Sequence, residues 1–109
     1  MKVLFLPKVR EYLKEVSYIM YEQDYFGFLD SSERYMEELI SEIIKTLPIR
    51  QKKAATTYFK KYGDKLFYAT FKKNKHTQWY VFFNLYEEKG ELIYLIRYIN
   101  NNHIIAQYL

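Results

Sequence analysis

Gly63-Asp-Lys-Leu-Phe-Tyr-Ala-Thr-Phe-Lys72, Trp79-Tyr-Val-Phe-Phe-Asn-Leu-Tyr86 and Leu92-Ile-Tyr-Leu-Ile-Arg-Tyr-Ile99 follow one another toward the C-terminus. Aromatic and aliphatic residues dominate the three runs. Lys73-Asn74-Lys75-His76 links the first pair and Glu87-Glu88-Lys89-Gly90 the second. Runs of this kind, joined by Asn- or Gly-bearing links, read as an antiparallel meander. Side chains alternate across a strand. In the middle run Trp79, Val81, Phe83 and Leu85 form a wholly apolar face and are assigned to the core. Tyr80, Phe82, Asn84 and Tyr86 form the other face, which is expected to be open. In the first run Phe67, Ala69 and Phe71 go inward, and Leu66, Tyr68 and Thr70 outward. The last run does not resolve, because Leu92, Tyr94, Ile96 and Tyr98 alternate with Ile93, Leu95, Arg97 and Ile99 and both sets are mostly apolar. Arg97 either sits at the rim, with its stem packed and its head in water, or marks the open face. A polar break, Asn100-Asn101-Asn102-His103, and a short tail from Ile104 to Leu109 complete the chain.

Upstream, Val3 to Leu6 is a short strand candidate. Pro7 ends it and suits the first turn of a helix. Val9, Tyr12, Leu13, Val16, Ile19 and Met20 then recur at helical spacing. Gly27 interrupts the pattern, and Asp30 with Glu33 resembles a capping box at the start of a second helix. Met36, Leu39, Ile40, Ile43, Ile44 and Leu47 repeat the apolar stripe until Pro48 stops it. Two helices of about 17 residues with a short break form an antiparallel hairpin whose stripes need an apolar partner, and the sheet supplies one. Residues 48–64 carry no clear period. Gln51 to Thr57 reads as an exposed connection, Tyr58-Phe59 as its anchor, and Gly63-Asp64 as the turn into the meander. The expected fold is α+β: an N-terminal strand, a two-helix hairpin on one face of an antiparallel sheet, and a short C-terminal helical tail. It forms a single domain over residues 1–109.

The 109 residues contain no cysteine, which removes disulfides and thiolate metal sites and suits a reducing cytoplasm. No apolar run approaches the roughly 18 residues of a membrane span, and the N-terminus is too short for a signal peptide. The expectation is a cytoplasmic protein with no membrane partner. The net charge of +4 conceals an uneven distribution. Residues 50–76 carry nine Lys/Arg against one acid, Asp64, and interleave them with Tyr58, Phe59, Tyr62, Phe67, Tyr68 and Phe71. A basic block with aromatics suits a nucleic acid or an acidic protein. It also suits a solvated sheet edge that resists aggregation. Lysine dominates it, so base-specific recognition is not indicated.

The order of elements then meets particular residues. Gly63-Asp-Lys-Leu-Phe-Tyr68, Trp79-Tyr-Val-Phe-Phe83 and Leu95-Ile-Arg-Tyr-Ile-Asn-Asn-Asn-His103 resemble the RelE/ParE superfamily of bacterial toxins. The likeness runs over nearly the whole chain and rests on apolar strands of fixed spacing. It implies the toxin of a type II toxin–antitoxin, or plasmid-stabilisation, pair, neutralised by a cognate antitoxin. One branch of that superfamily cleaves mRNA on the ribosome, and another inhibits DNA gyrase. Ribosome-dependent members carry an arginine early in the middle strand and another after the last strand. Here Trp79 or Tyr80 stands at the first place and Asn101 or Asn102 at the second. Those arginines would neutralise the scissile phosphate.

The resemblance carries over, residue by residue, only to His103, Tyr108 and, loosely, Lys65, and the candidate catalytic set is His103, Tyr108 and Arg97. In that set His103 serves as a neutral-pH base, Tyr108 as its partner for the leaving oxygen, and Arg97 or Lys65 as positive charge to the phosphate. Lys65, Lys72, Lys73 and Tyr80 are the candidate RNA-binding residues. His76, in a lysine-rich turn, reads as solvated. No metal spacing, glycine-rich phosphate loop or nucleophile elbow is visible, so no metal or cofactor is expected. Three functions stay open: an mRNA endoribonuclease acting on the ribosome, a non-catalytic inhibitor of gyrase, and an inactive toxin-like interaction module.

Overall fold

Pro7 closes a short strand and opens a helix, so the chain leaves the sheet edge directly onto one of its faces. The computed structural model describes residues 1–22 and 29–109. In it β1 (Lys2–Phe5) leads into α1 (Pro7–Glu22), and α2 (Leu29–Thr46) follows. A 3₁₀ turn, Leu47–Ile49, takes Pro48 near its start. Next come the two-residue strand β2 (Lys53–Ala54) and a longer 3₁₀ segment, Thr57–Tyr62. The meander is β3 (Phe67–Lys72), β4 (Gln78–Glu88) and β5 (Glu91–Asn101). The chain ends in α3 (Asn102–Ile105) and a 3₁₀ turn, Ala106–Tyr108. The strands lie in the order β1-β5-β4-β3-β2. All neighbours are antiparallel except β1, which runs parallel to β5. The expected α+β layout is therefore the observed one. The interruption assigned to Gly27 lies outside the described residues.

The turns follow their residues. Lys89 and Gly90 have φ of 53° and 78° between the paired residues Glu88 and Glu91. Two successive positive φ values are what a type I′ hairpin requires. In the β3–β4 link the Asn74 side-chain carbonyl accepts from the His76 and Thr77 N–H groups at 2.8 and 2.9 Å.

The apolar face of the meander packs on both helices. Val9, Leu13, Met36, Leu39, Ile43 and Leu47 meet Ala69, Phe71, Trp79, Val81 and Phe83 in one buried cluster. Two residues placed on the helical stripes are out of it, since Ile19 is 45% exposed and Ile44 43%. Ile19 lies six positions from Leu13, about 120° round the helix, and Ile44 lies five from Leu39, about 140° round. The helices instead bury Ser17 and Ser32 between them. The Ser32 hydroxyl donates to the Ser17 carbonyl, and the Ser17 hydroxyl donates to the Leu13 carbonyl. Asp30 is a further correction. The helix already includes Leu29, so Asp30 sits in its first turn, where a carboxylate complements the helix dipole, and is not the cap.

A bulge explains why β5 could not be read from its pattern. Phe82 pairs with Tyr98, but Phe83 pairs with Ile96, which leaves Arg97 as an extra residue in β5. An extra residue reverses the alternation. Before it Tyr94 and Ile96 face the helices, and after it Ile99 does. β5 also continues through Asn100 and Asn101, which were expected to form the break. The Asn101 side chain then caps α3 by accepting from the His103 N–H at 3.0 Å.

The second face of the sheet is not open. Phe82 is fully buried there with Phe59, Leu66 and Ile105. The 3₁₀ segment brings Phe59 down onto the strand, and the Phe59 and Phe82 rings stack at 4.3 Å. α3 brings in Ile105. Alternation shows that two faces differ, but not what folds over each. Leu66, expected outside, is buried for the same reason. No helix among the described residues is long and apolar enough to cross a membrane.

Candidate functional site

Around the small second core stands a rim of tyrosines. Tyr62 and Tyr98 stack at 3.8 Å, and Tyr58 and Tyr108 at 3.7 Å. Tyr68 and Tyr80 are tilted neighbours at 5.9 Å. The 3₁₀ segment places its cations among them, with the Lys61 ammonium 4.1 Å from the Tyr58 ring centre. Lys72 is exposed at the end of β3, in the alternation that carries Tyr68 and Thr70. Burial raises the pKa of Tyr80, with Tyr68 adding to it. Burial also pushes Tyr62 up to about 12, helped by its hydrogen bond to Tyr98. At neutral pH these phenols are uncharged and present their rings and hydroxyls.

Two hollows open on this side. One, of about 210 Å³, is lined by Gln51, Lys53, Tyr68, Thr70, Gln78 and Tyr80 among others. The other, of about 430 Å³, lies where the 3₁₀ segment meets the turn into β3, with Lys60, Lys65 and Thr56 on its walls. Lys65 holds a left-handed backbone there, with φ of 54°.

Arg97 projects beside Asn84 and Tyr86. Its Nε donates to the Asn84 side-chain carbonyl, and its Nη2 donates to the Tyr86 hydroxyl at 3.1 Å. The Asn84 amide in turn donates to the Asp64 carbonyl at 2.8 Å. Gly63 completes the clamp by close approach, since a Cβ there would lie 2.8 Å from the Arg97 Cδ.

The helix side holds a separate cavity of about 590 Å³. Tyr12, Tyr35, Trp79, Asn100, Asn101 and His103 are among its walls. The Tyr12 hydroxyl donates to the Asn100 side-chain carbonyl at 3.2 Å, and the Asn100 amide donates to the Tyr98 hydroxyl at 2.9 Å. Asn100 thus joins a phenol of α1 to one of the second-face rim. Burial pushes the Tyr12 pKa up to about 12, with Tyr98 adding to the shift.

The residues singled out from sequence are therefore distributed over three places. His103 is exposed and lines the helix-side cavity, whereas Tyr108 stacks on Tyr58 at the second-face rim. Arg97 is held by Asn84 and Tyr86. Lys65 and Tyr80 line the two second-face hollows. Lys73 reaches the other way, with its ammonium 5.5 Å from the Tyr35 ring of α2. Sequence reading missed Tyr62, Tyr98 and Asn84, although Tyr62 lies inside the basic aromatic block. It also missed Arg50, whose guanidinium is spent on structure. That group stacks 4.0 Å over Phe71, donates to the Thr70 carbonyl at 3.0 Å, and pairs with Glu42 at 3.3 Å. Among the described residues no group of three or more His, Asp or Glu is placed to hold a metal ion.

Comparison with protein-family models, with curated proteins and with solved structures returned no significant match.

Proposed function

We propose that this chain is a toxin of the RelE/ParE kind, from a type II toxin–antitoxin pair, and that it engages the translation machinery by binding RNA across the second face of its sheet. One observation carries the reading. Lysines of the basic stretch 50–76 and the rim tyrosines share one side of the sheet, with Lys61 set over Tyr58 and Lys53 beside Tyr68 and Tyr80. Lysines along a groove track a phosphate backbone, and exposed tyrosines stack unpaired bases. The element order, with its strand, helix pair, basic connection and meander, supports the family reading. A cognate antitoxin would cover the same lysines with an acidic segment, and its binding would weaken with salt.

If the chain cleaves RNA, Arg97 is the second-face group fit to meet the phosphate, since Asn84 and Tyr86 hold its guanidinium in place. A specific observation favours a second reading, action without catalysis on gyrase or another protein. His103 and Tyr108, the expected proton-transfer pair, lie in different surroundings on the two sides of the sheet. Induced expression with growth measured, followed by mRNA cleavage mapping and a gyrase supercoiling assay, separates the readings. Growth arrest with mapped cleavage supports the nuclease. Arrest with inhibited supercoiling supports the second reading. No effect on growth leaves an interaction module and overturns the toxin proposal.

A further inference from the structure

The helix-side cavity is unused by the function proposed above, and its chemistry is divided. One part is apolar, built from Val16, Ile19 and Met20 of α1, with the buried Trp79 also among the lining residues. The rim is polar, built from the side chains of Tyr12, Tyr35, Asn74, Thr77, Asn100, Asn101 and His103. Asn74 and Asn101 use their side-chain carbonyls as acceptors for backbone N–H groups, so what they have left to offer a ligand is their amide hydrogens. The Thr77 hydroxyl and the His103 imidazole stand beside them. Lys73 brings a full positive charge to this edge, 5.5 Å from the ring of Tyr35. No carboxylate of the described residues lines the cavity.

We propose that this cavity is a binding site for a small apolar or aromatic carboxylate, with its body against α1 and Trp79 and its carboxylate toward Asn74, Asn101 and Lys73. The volume of about 590 Å³ lies in the range of small-molecule sites, which are apolar with a few placed polar groups. Two amides whose own carbonyls are engaged, next to a lysine and with no lining carboxylate among the described residues, favour an anion over a cation. A bare inorganic anion would leave the apolar wall of Val16, Ile19 and Met20 unfilled. The site lies on the side of the sheet opposite the rim tyrosines, so it stands or falls independently of RNA binding.

The test is titration of the isotope-labelled full chain with naphthoate and, separately, with naphthamide, which keeps the body and loses the charge. The chain has one tryptophan, so its indole N–H is a single resonance, and Trp79 is a lining residue of the cavity. That N–H donates to the Tyr35 hydroxyl at 3.0 Å, another cavity wall. Naphthoate is expected to shift the Trp79 indole and the Asn74 and Asn101 amides saturably, and naphthamide to bind at least about tenfold more weakly. Lys73→Gln, which removes the charge of a half-buried side chain, should weaken naphthoate and leave naphthamide as it was. Val16→Phe should fill the cavity and abolish both. Equal affinity for the two probes, an unchanged naphthoate affinity in Lys73→Gln, shifts that map to the second face, or no saturable binding would each overturn the proposal.

Discussion

The ring of Phe59 stacks on the ring of Phe82 at 4.3 Å, and neither side chain retains exposure to solvent. Phe59 belongs to the connection that follows the helices, and Phe82 to the central strand. Their contact turns the second face into a small core with a tyrosine rim. Phe59→Ala should therefore cost about 3–5 kcal/mol in a urea melt, as large-to-small changes in packed cores do. A loss under about 1 kcal/mol would mean that the 3₁₀ segment does not pack on the sheet.

Gly63 touches the Arg97 stem so closely that a methyl group cannot be added without moving it. Moving Arg97 breaks its bonds to Asn84 and Tyr86. Gly63→Ala should destabilise the chain by about 1–3 kcal/mol, through overpacking and the unusual backbone at this turn. It should also shift the Tyr86 side-chain resonances. Unchanged Tyr86 resonances would show that the arginine is not clamped.

Tyr12 supplies a pH dependence of known sign. Burial raises its pKa from 10.0 to about 12, so the folded state keeps the phenol proton when the unfolded chain has lost it. The unfolded state then binds fewer protons, and stability falls as pH rises. This contribution is complete below pH 10 and is lost between pH 10 and about 12. Tyr12→Phe should flatten the stability profile over that interval relative to the parent, measured by denaturant melts at each pH. Parallel profiles would place the Tyr12 hydroxyl in solvent.

Much of the fold was legible because its signals were local. Pro7 and Pro48 marked element ends, and Lys89-Gly90 marked the hairpin. Trp79, Val81 and Phe83 announced the helix-facing side by strict alternation. Arg97 was not legible as a bulge, since an extra residue changes register without changing composition. Burial of Phe82 and Leu66 was hidden because it depends on where residues 57–62 and the tail fold back. The candidate site divided in the same way. Lysine and tyrosine content pointed to a basic aromatic surface. Which cations reach it is set by backbone direction, which sends Lys61 toward Tyr58 and Lys73 toward Tyr35.

Binding of a labelled single-stranded RNA across a series of salt concentrations tests the second-face account most directly. The parent chain should bind, with log K falling linearly in log salt, and the slope should shrink by about 0.7 for each phosphate-contacting lysine removed, in Lys53→Gln and in Lys61→Gln. Tyr80→Ala should lose about 1–3 kcal/mol of affinity with the slope unchanged, because it removes stacking and not charge. Absence of binding, or binding indifferent to salt and to these substitutions, would contradict RNA as the ligand of this face.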